Sequence, residues 1–150
     1  MPGRSGSGDG WGQLPLLIDT SAFARARHPD IRGAWQEALR EDRLRLPPPA
    51  RMEILFTARD GAAFDALAAQ LSALRPAPLT SAVQRAAEDA MRTLAHRSAG
   101  SQRLPVIDYL IAAAAQEMGG AVIHYDHDYD TLAEVMEFES VWLAPAGTLP

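Results

Sequence analysis

Short apolar runs alternate along the chain with longer stretches in which apolar residues recur every three or four positions. The run LPLLI at 14–18 stops abruptly at Asp19, Thr20 and Ser21, which predicts a buried strand followed by a helix start. A helix is predicted over about 31–41, with Ala34, Trp35, Ala38 and Leu39 on its apolar face. Leu44 to Leu46 reads as a second short strand. Pro47, Pro48 and Pro49 then open a helix over 50–59, with Glu53 one turn in. Residues 62–74 form an amphipathic helix carrying Phe64, Leu67, Ala68, Leu71 and Leu74 at helical spacing, broken by Pro76 and Pro78. Another helix is expected over 81–95 with Ser81 as its N-cap, then a polar loop over 96–104. DYLIAAAAQEM at 108–118 is helical and ends at Gly119 and Gly120. AVIHY at 121–125 is a buried strand closed by Asp126, followed by a short helix over 131–136 and a last strand at 141–143.

Strands alternating with helices predict a three-layer α/β fold around a mainly parallel sheet. Sites in such folds lie outside the carboxyl ends of the strands. Asp19 and Asp126 each follow an apolar strand directly, so the site is expected there.

Composition narrows the chemistry. The 150 residues suit one domain with a sizeable core. Residues 1–14 are Gly/Ser-rich without the apolar centre of a signal peptide, and are expected to be a flexible leader to a single domain at 15–150. No run is long and apolar enough to cross a membrane, and a cytoplasmic location is expected. The absence of cysteine excludes disulfides, thiolate chemistry and cysteine-based zinc sites. Lysine is absent too, all 14 basic residues being arginine, which excludes a Walker P-loop and Schiff-base catalysis. For want of the same residue the chain departs from the haloacid-dehalogenase-like phosphatases and response-regulator receivers. The net charge of −5 speaks against a generic nucleic-acid binder, but it equals in size the five carboxylates considered next.

Those carboxylates are Asp19, Glu53, Asp108, Asp126 and Asp128. Each has an ordinary structural explanation: an Asp at a helix start caps it, a helical Glu is solvated, and an Asp after a strand makes a turn. Brought within a few ångströms, however, they repel by about 1 kcal/mol per pair even in bulk water, and more when buried. Such a cluster needs protons or a cation, and all-oxygen ligands suit a hard ion such as Mg2+ or Mn2+. His124 and His127 match no two-histidine helical zinc spacing and are expected to face opposite sides of the strand end.

The segments LLIDTSAF at 16–23, RMEILFTAR at 51–59, LPVIDYLIAAAA at 104–115 and VIHYDHDYDTLAEV at 122–135 together resemble the PIN domain, and within it the VapC ribonuclease toxins of bacterial toxin–antitoxin pairs. The resemblance covers residues 16 to about 143 in the family's order, with an acid at each required point. It implies an α/β/α PIN-like fold and an endoribonuclease. It implies that Asp19 and Asp108 are the principal metal ligands, that Glu53 and Asp126 complete the acidic pocket, and that Asp128 is a fifth member. Thr20 or Ser21 would stand beside the metal, bonded to a carboxylate or to water.

The implied reaction is Mg2+- or Mn2+-assisted hydrolysis of an RNA phosphodiester. Arg25, Arg27, Arg51, Arg97 and Arg103 lie in or beside the matching segments and are candidates to hold phosphate, Arg51 first among them. The resemblance also implies a cognate antitoxin and a homodimer, for which Phe56, Phe64, Leu67 and Leu71 offer an apolar patch. Two other readings stand beside this one. The first is a non-catalytic PIN-like module that binds RNA or serves as a scaffold. The second is a metal-dependent phosphatase or DNA nuclease that uses the same acids.

Overall fold

A computed structural model describes residues 8–150. Five strands and seven helices lie among them. The strands are β1 (Leu16–Ile18), β2 (Leu44–Leu46), β3 (Arg75–Pro76), β4 (Ala121–His124) and β5 (Glu139–Trp142). They form one sheet in the order β3-β2-β1-β4-β5, and every pairing is parallel. Leu16 stands opposite Leu44 on one side and Ala121 on the other. Successive side chains of a strand point to opposite faces. All residues of β1 and β4 are nonetheless buried, so the sheet is covered on both faces. The expected three-layer arrangement follows from that burial and from the helical crossovers that parallel strands require.

The helices are α1 (Thr20–Phe23), α2 (Arg32–Arg40), α3 (Pro48–Phe56), α4 (Gly61–Leu71), α5 (Ser81–Arg97), α6 (Val106–Glu117) and α7 (Asp128–Ala133). Helix α6 is the central one. Its alanine run, Ala112 to Ala115, is buried throughout and packs against β1, β4 and α5. Small side chains let the helix come close to the sheet on every side. Gly119, at φ +64°, takes the left-handed turn that ends it, and a Cβ on Gly120 would stand 2.9 Å from the Pro15 carbonyl.

Several expectations shift. The N-cap of α5 is Thr80, whose hydroxyl accepts from the Val83 N–H, and not Ser81. Helix α3 stops at Phe56, short of Arg59. Helix α7 begins at Asp128, three residues early, because the turn at Asp126 already sets the helical direction. β3 was not foreseen. It holds Pro76 at the sheet edge, where a residue without an N–H is tolerated. Of α4's expected apolar face only Leu71 is buried, with Leu67 and Leu74 half-buried and Phe64 exposed.

Of the expected leader over 1–14, residues 1–7 lie outside the described residues, and within 8–14 Trp11 and Leu14 contact the body. A short 3-10 helix, Gly8–Trp11, places the Trp11 ring in the core, and its indole donates to the Leu143 carbonyl at 3.3 Å. The buried Arg43 guanidinium donates to the carbonyls of Trp11 and Leu14. Among the described residues, no helix is long and apolar enough to cross a membrane.

Candidate metal centre

The carboxyl ends of β1 and β4 meet the N-terminus of α6, and the acids gather there. Asp19 leaves β1 with its N–H still bonded to Ile123 O at 3.1 Å, so the strand ladder fixes where its side chain starts. It caps α1: Oδ2 accepts from the Ser21 N–H at 3.0 Å and from the Ser21 hydroxyl. The same hydroxyl oxygen accepts from the Tyr125 N–H at 2.9 Å, which ties the end of β4 to the start of α1.

Asp108 is the third residue of α6 and not its cap. Pro105 occupies the N-cap position, and the carboxylate points inward at 6% exposure. Its Oδ2 is buried with no hydrogen-bond partner. Burial raises its pKa to about 8, with the charges of Asp19, Asp126 and Asp128 adding to the effect and the Tyr129 hydroxyl opposing it. Asp128 is also raised, first by burial and then by Asp126.

Asp126 lies two residues beyond β4. Its Oδ1 accepts from the Asp128 N–H at 2.9 Å, so the turn folds both carboxylates towards Asp108. Asp108, Asp126 and Asp128 each offer an oxygen within 4.8 Å of the others. Among the described residues no histidine belongs to this group, and neither Asp19 nor Glu53 is part of it. Asp19 is linked to Asp108 through Tyr129, described below. Glu53 on α3 is bonded instead by the Thr20 hydroxyl, at 3.0 Å.

The group fits a hard divalent cation. Three carboxylates within 4.8 Å, one with a bare buried oxygen and a pKa near 8, are held together against their own repulsion. Oxygen donors without sulfur or imidazole match Mg2+ or Mn2+ chemistry.

The histidines do not face opposite sides; both rings lie edge-on to Trp142, with centroids 5.0 and 4.8 Å away. His124 is wholly buried. Its Nδ1 accepts from the Asp126 N–H at 3.1 Å, which leaves Nε2 to donate to Ser140 Oγ at 2.7 Å. The Ser140 hydroxyl donates onward to Asp130 at 2.9 Å. Burial lowers the His124 pKa to about 4, so the ring is neutral and this tautomer stands. His127 is exposed.

Arg51 does not reach the acids; its guanidinium donates to the Ala68 carbonyl at 3.4 Å. Arg97 pairs with Glu134 at 3.4 Å. Arg25 donates to the Ser21 carbonyl at 2.8 Å and to the Pro150 carbonyl at 3.0 Å, and lies 4.5 Å above the Tyr125 ring. Sequence reasoning passed over Tyr129 and the structural use of His124. Both lie within the acidic segment 122–135 already singled out, where a buried tyrosine needs a partner for its hydroxyl.

A parallel α/β domain with a carboxylate cluster at the strand ends is the layout of a metal-assisted phosphoester hydrolase. The chain belongs to the PIN domain family, whose profile matches residues 16–135. It is 35% identical to Ribonuclease VapC18 of Mycobacterium tuberculosis, over 91% of this chain and 100% of that protein. To Ribonuclease VapC51 of the same organism it is 34% identical, over 91% and 98%. The crystal structure of DNA-bound VapBC from Salmonella typhimurium superposes with a TM-score of 0.67 at 17% identity, over 88% of this chain and 100% of that one, a likeness of fold.

Proposed function

We propose that this protein is a divalent-metal-dependent endoribonuclease, the toxin half of a toxin–antitoxin pair, acting in the cytoplasm with Mg2+ or Mn2+. The observation that carries the reading is the bare, buried Oδ2 of Asp108 within the Asp108–Asp126–Asp128 group. The relatives named as ribonucleases supply the substrate class.

A cation held by Asp108, Asp126 and Asp128, with Asp19 beside them, would neutralise phosphate charge and activate water for hydrolysis of the phosphodiester. The residues around it do the positioning. Ser21 orients Asp19 through two donors, and the Asp126 turn fixes Asp128. Thr20 holds one oxygen of the Glu53 carboxylate, and the other oxygen would be free to orient a water or accept its proton. Burial of Asp19 and Asp108 strengthens the charge interactions they make. Arg25, rather than Arg51, takes an RNA phosphate at the pocket edge.

The structural relatives include toxin–antitoxin complexes, which supports a cognate antitoxin as partner. A second copy of the chain would cover the exposed Met52, Phe56 and Phe64 on α3 and α4. One PIN domain carries all these roles.

The test is cleavage of total RNA by wild type and Asp108→Asn, with Mg2+, Mn2+ or EDTA, beside single-stranded DNA and a small phosphomonoester. Cleavage confined to RNA and lost in both the variant and EDTA supports the proposal. A folded wild type that leaves RNA intact with either metal overturns it, and a preference for DNA or the phosphomonoester favours the alternative hydrolases.

A further inference from the structure

The acidic pocket contains a phenol that the mechanism above does not use. Tyr129 on α7 is fully buried, and its hydroxyl lies 2.7 Å from Asp19 Oδ1 and 3.3 Å from Asp108 Oδ1. The two carboxylates arrive from β1 and α6, so no local stretch of chain sets their separation. A phenol has one hydrogen to donate, and the shorter contact assigns it to Asp19. The other oxygen of Asp19 already accepts from Ser21. Both ends of this carboxylate are therefore fixed by donors. The Tyr129 ring is itself held, stacked on His124 at 4.9 Å, while His124 holds the Asp126 backbone. A phenylalanine would fill the same apolar space without burying a hydroxyl, so packing alone does not account for the oxygen.

We propose that Tyr129 is a positioning residue for metal binding: its hydroxyl fixes Asp19 against Asp108 and joins the strand carboxylate to the Asp108–Asp126–Asp128 group. The inference rests on the metal-dependent reading above and extends it. Without the hydroxyl, Asp19 loses one of its orienting donors and its link to Asp108. The cation must then order the carboxylates as it binds. Partners that orient ligating groups in this way typically change metal affinity about 10–100-fold.

The experiment titrates Mn2+ alone into wild type and Tyr129→Phe by calorimetry, with circular dichroism of both and RNA cleavage across a Mn2+ series. The expected result is Mn2+ affinity weaker by about 10–100-fold in Tyr129→Phe, with unchanged fold, unchanged KM for RNA, and cleavage restored by excess Mn2+. Equal Mn2+ affinity in the two proteins overturns this proposal and leaves the nuclease reading standing. A wild type that binds no Mn2+ overturns both. A Tyr129→Phe chain that does not fold assigns the hydroxyl to the core and overturns the positioning role.

Discussion

His124 on β4 and Ser140 on β5 are diagonal neighbours across the strand pair, with Nε2 and Oγ 2.7 Å apart. The pair is one link in a directed series. The Asp126 N–H donates to His124, His124 to Ser140, and Ser140 to Asp130. Every donor in the series is used, so the loop that carries two of the proposed metal-binding acids is anchored to the sheet beneath it. Ser140→Ala leaves the buried Nε2–H without a partner. Urea unfolding of the metal-free protein is expected to show a loss of about 1–3 kcal/mol.

Asp108 gives the metal-free protein a characteristic dependence on pH. Its folded pKa of about 8 stands above its ordinary value of 3.8, so the folded state binds this proton more tightly than the unfolded state. Stability from this group is therefore full below about pH 4 and declines as pH rises towards about 8, with a slope of up to about 1.4 kcal/mol per pH unit. Thermal melts in EDTA between pH 5 and 8, values set about that window, are expected to fall with rising pH, and Asp108→Asn is expected to remove this component.

Asp108→Asn separates function from stability. The amide carries no charge to bury beside Asp19, Asp126 and Asp128. At the alkaline end of that window the variant is expected to melt at or above wild type in EDTA and to gain nothing from Mn2+. Differential scanning fluorimetry with and without the ion checks both outcomes.

The Thr20 hydroxyl donates to Glu53 from α1 to α3 at 3.0 Å. Thr20→Val keeps the shape and removes the donor. Single-turnover RNA cleavage is expected to slow about tenfold with little change in melting temperature.

Trp11 is a core residue in a stretch that looks like a leader. Trp11→Ala removes a buried ring and the indole donor to Leu143, and is expected to cost about 3–5 kcal/mol in denaturant unfolding.

Much of this architecture is legible in the linear order of residues. Strand and helix alternation is a local pattern, and LLID and VIHYD place Asp19 and Asp126 at strand ends by the same logic. Parallel strands put their carboxyl ends on one edge, so the placement of these two acids on the same side of the sheet follows from topology. The absence of lysine and cysteine limits the available chemistry just as directly. Other features lie beyond such reasoning. Trp11 sits among Gly and Ser residues that carry no periodicity, and its partners, the core around it and the hydrogen bonds to Arg43 and Leu143, lie far along the chain. Arg51 precedes Glu53 by two residues, yet the turn of α3 sends it to Ala68.

The sequence by itself determined the layered parallel fold and the acidic chemistry, because these depend on short-range periodicity and on residue types at strand ends; the family was legible only through the resemblance of four segments to the PIN domain. Only the tertiary structure decided which acids lie together: Asp108 with Asp126 and Asp128, Asp19 joined to Asp108 through Tyr129, and Glu53 bonded to Thr20. Such groupings turn on differences of one or two ångströms between side chains up to 110 residues apart. Distances of that kind are set by how helices seat on the sheet, to which local propensity is blind.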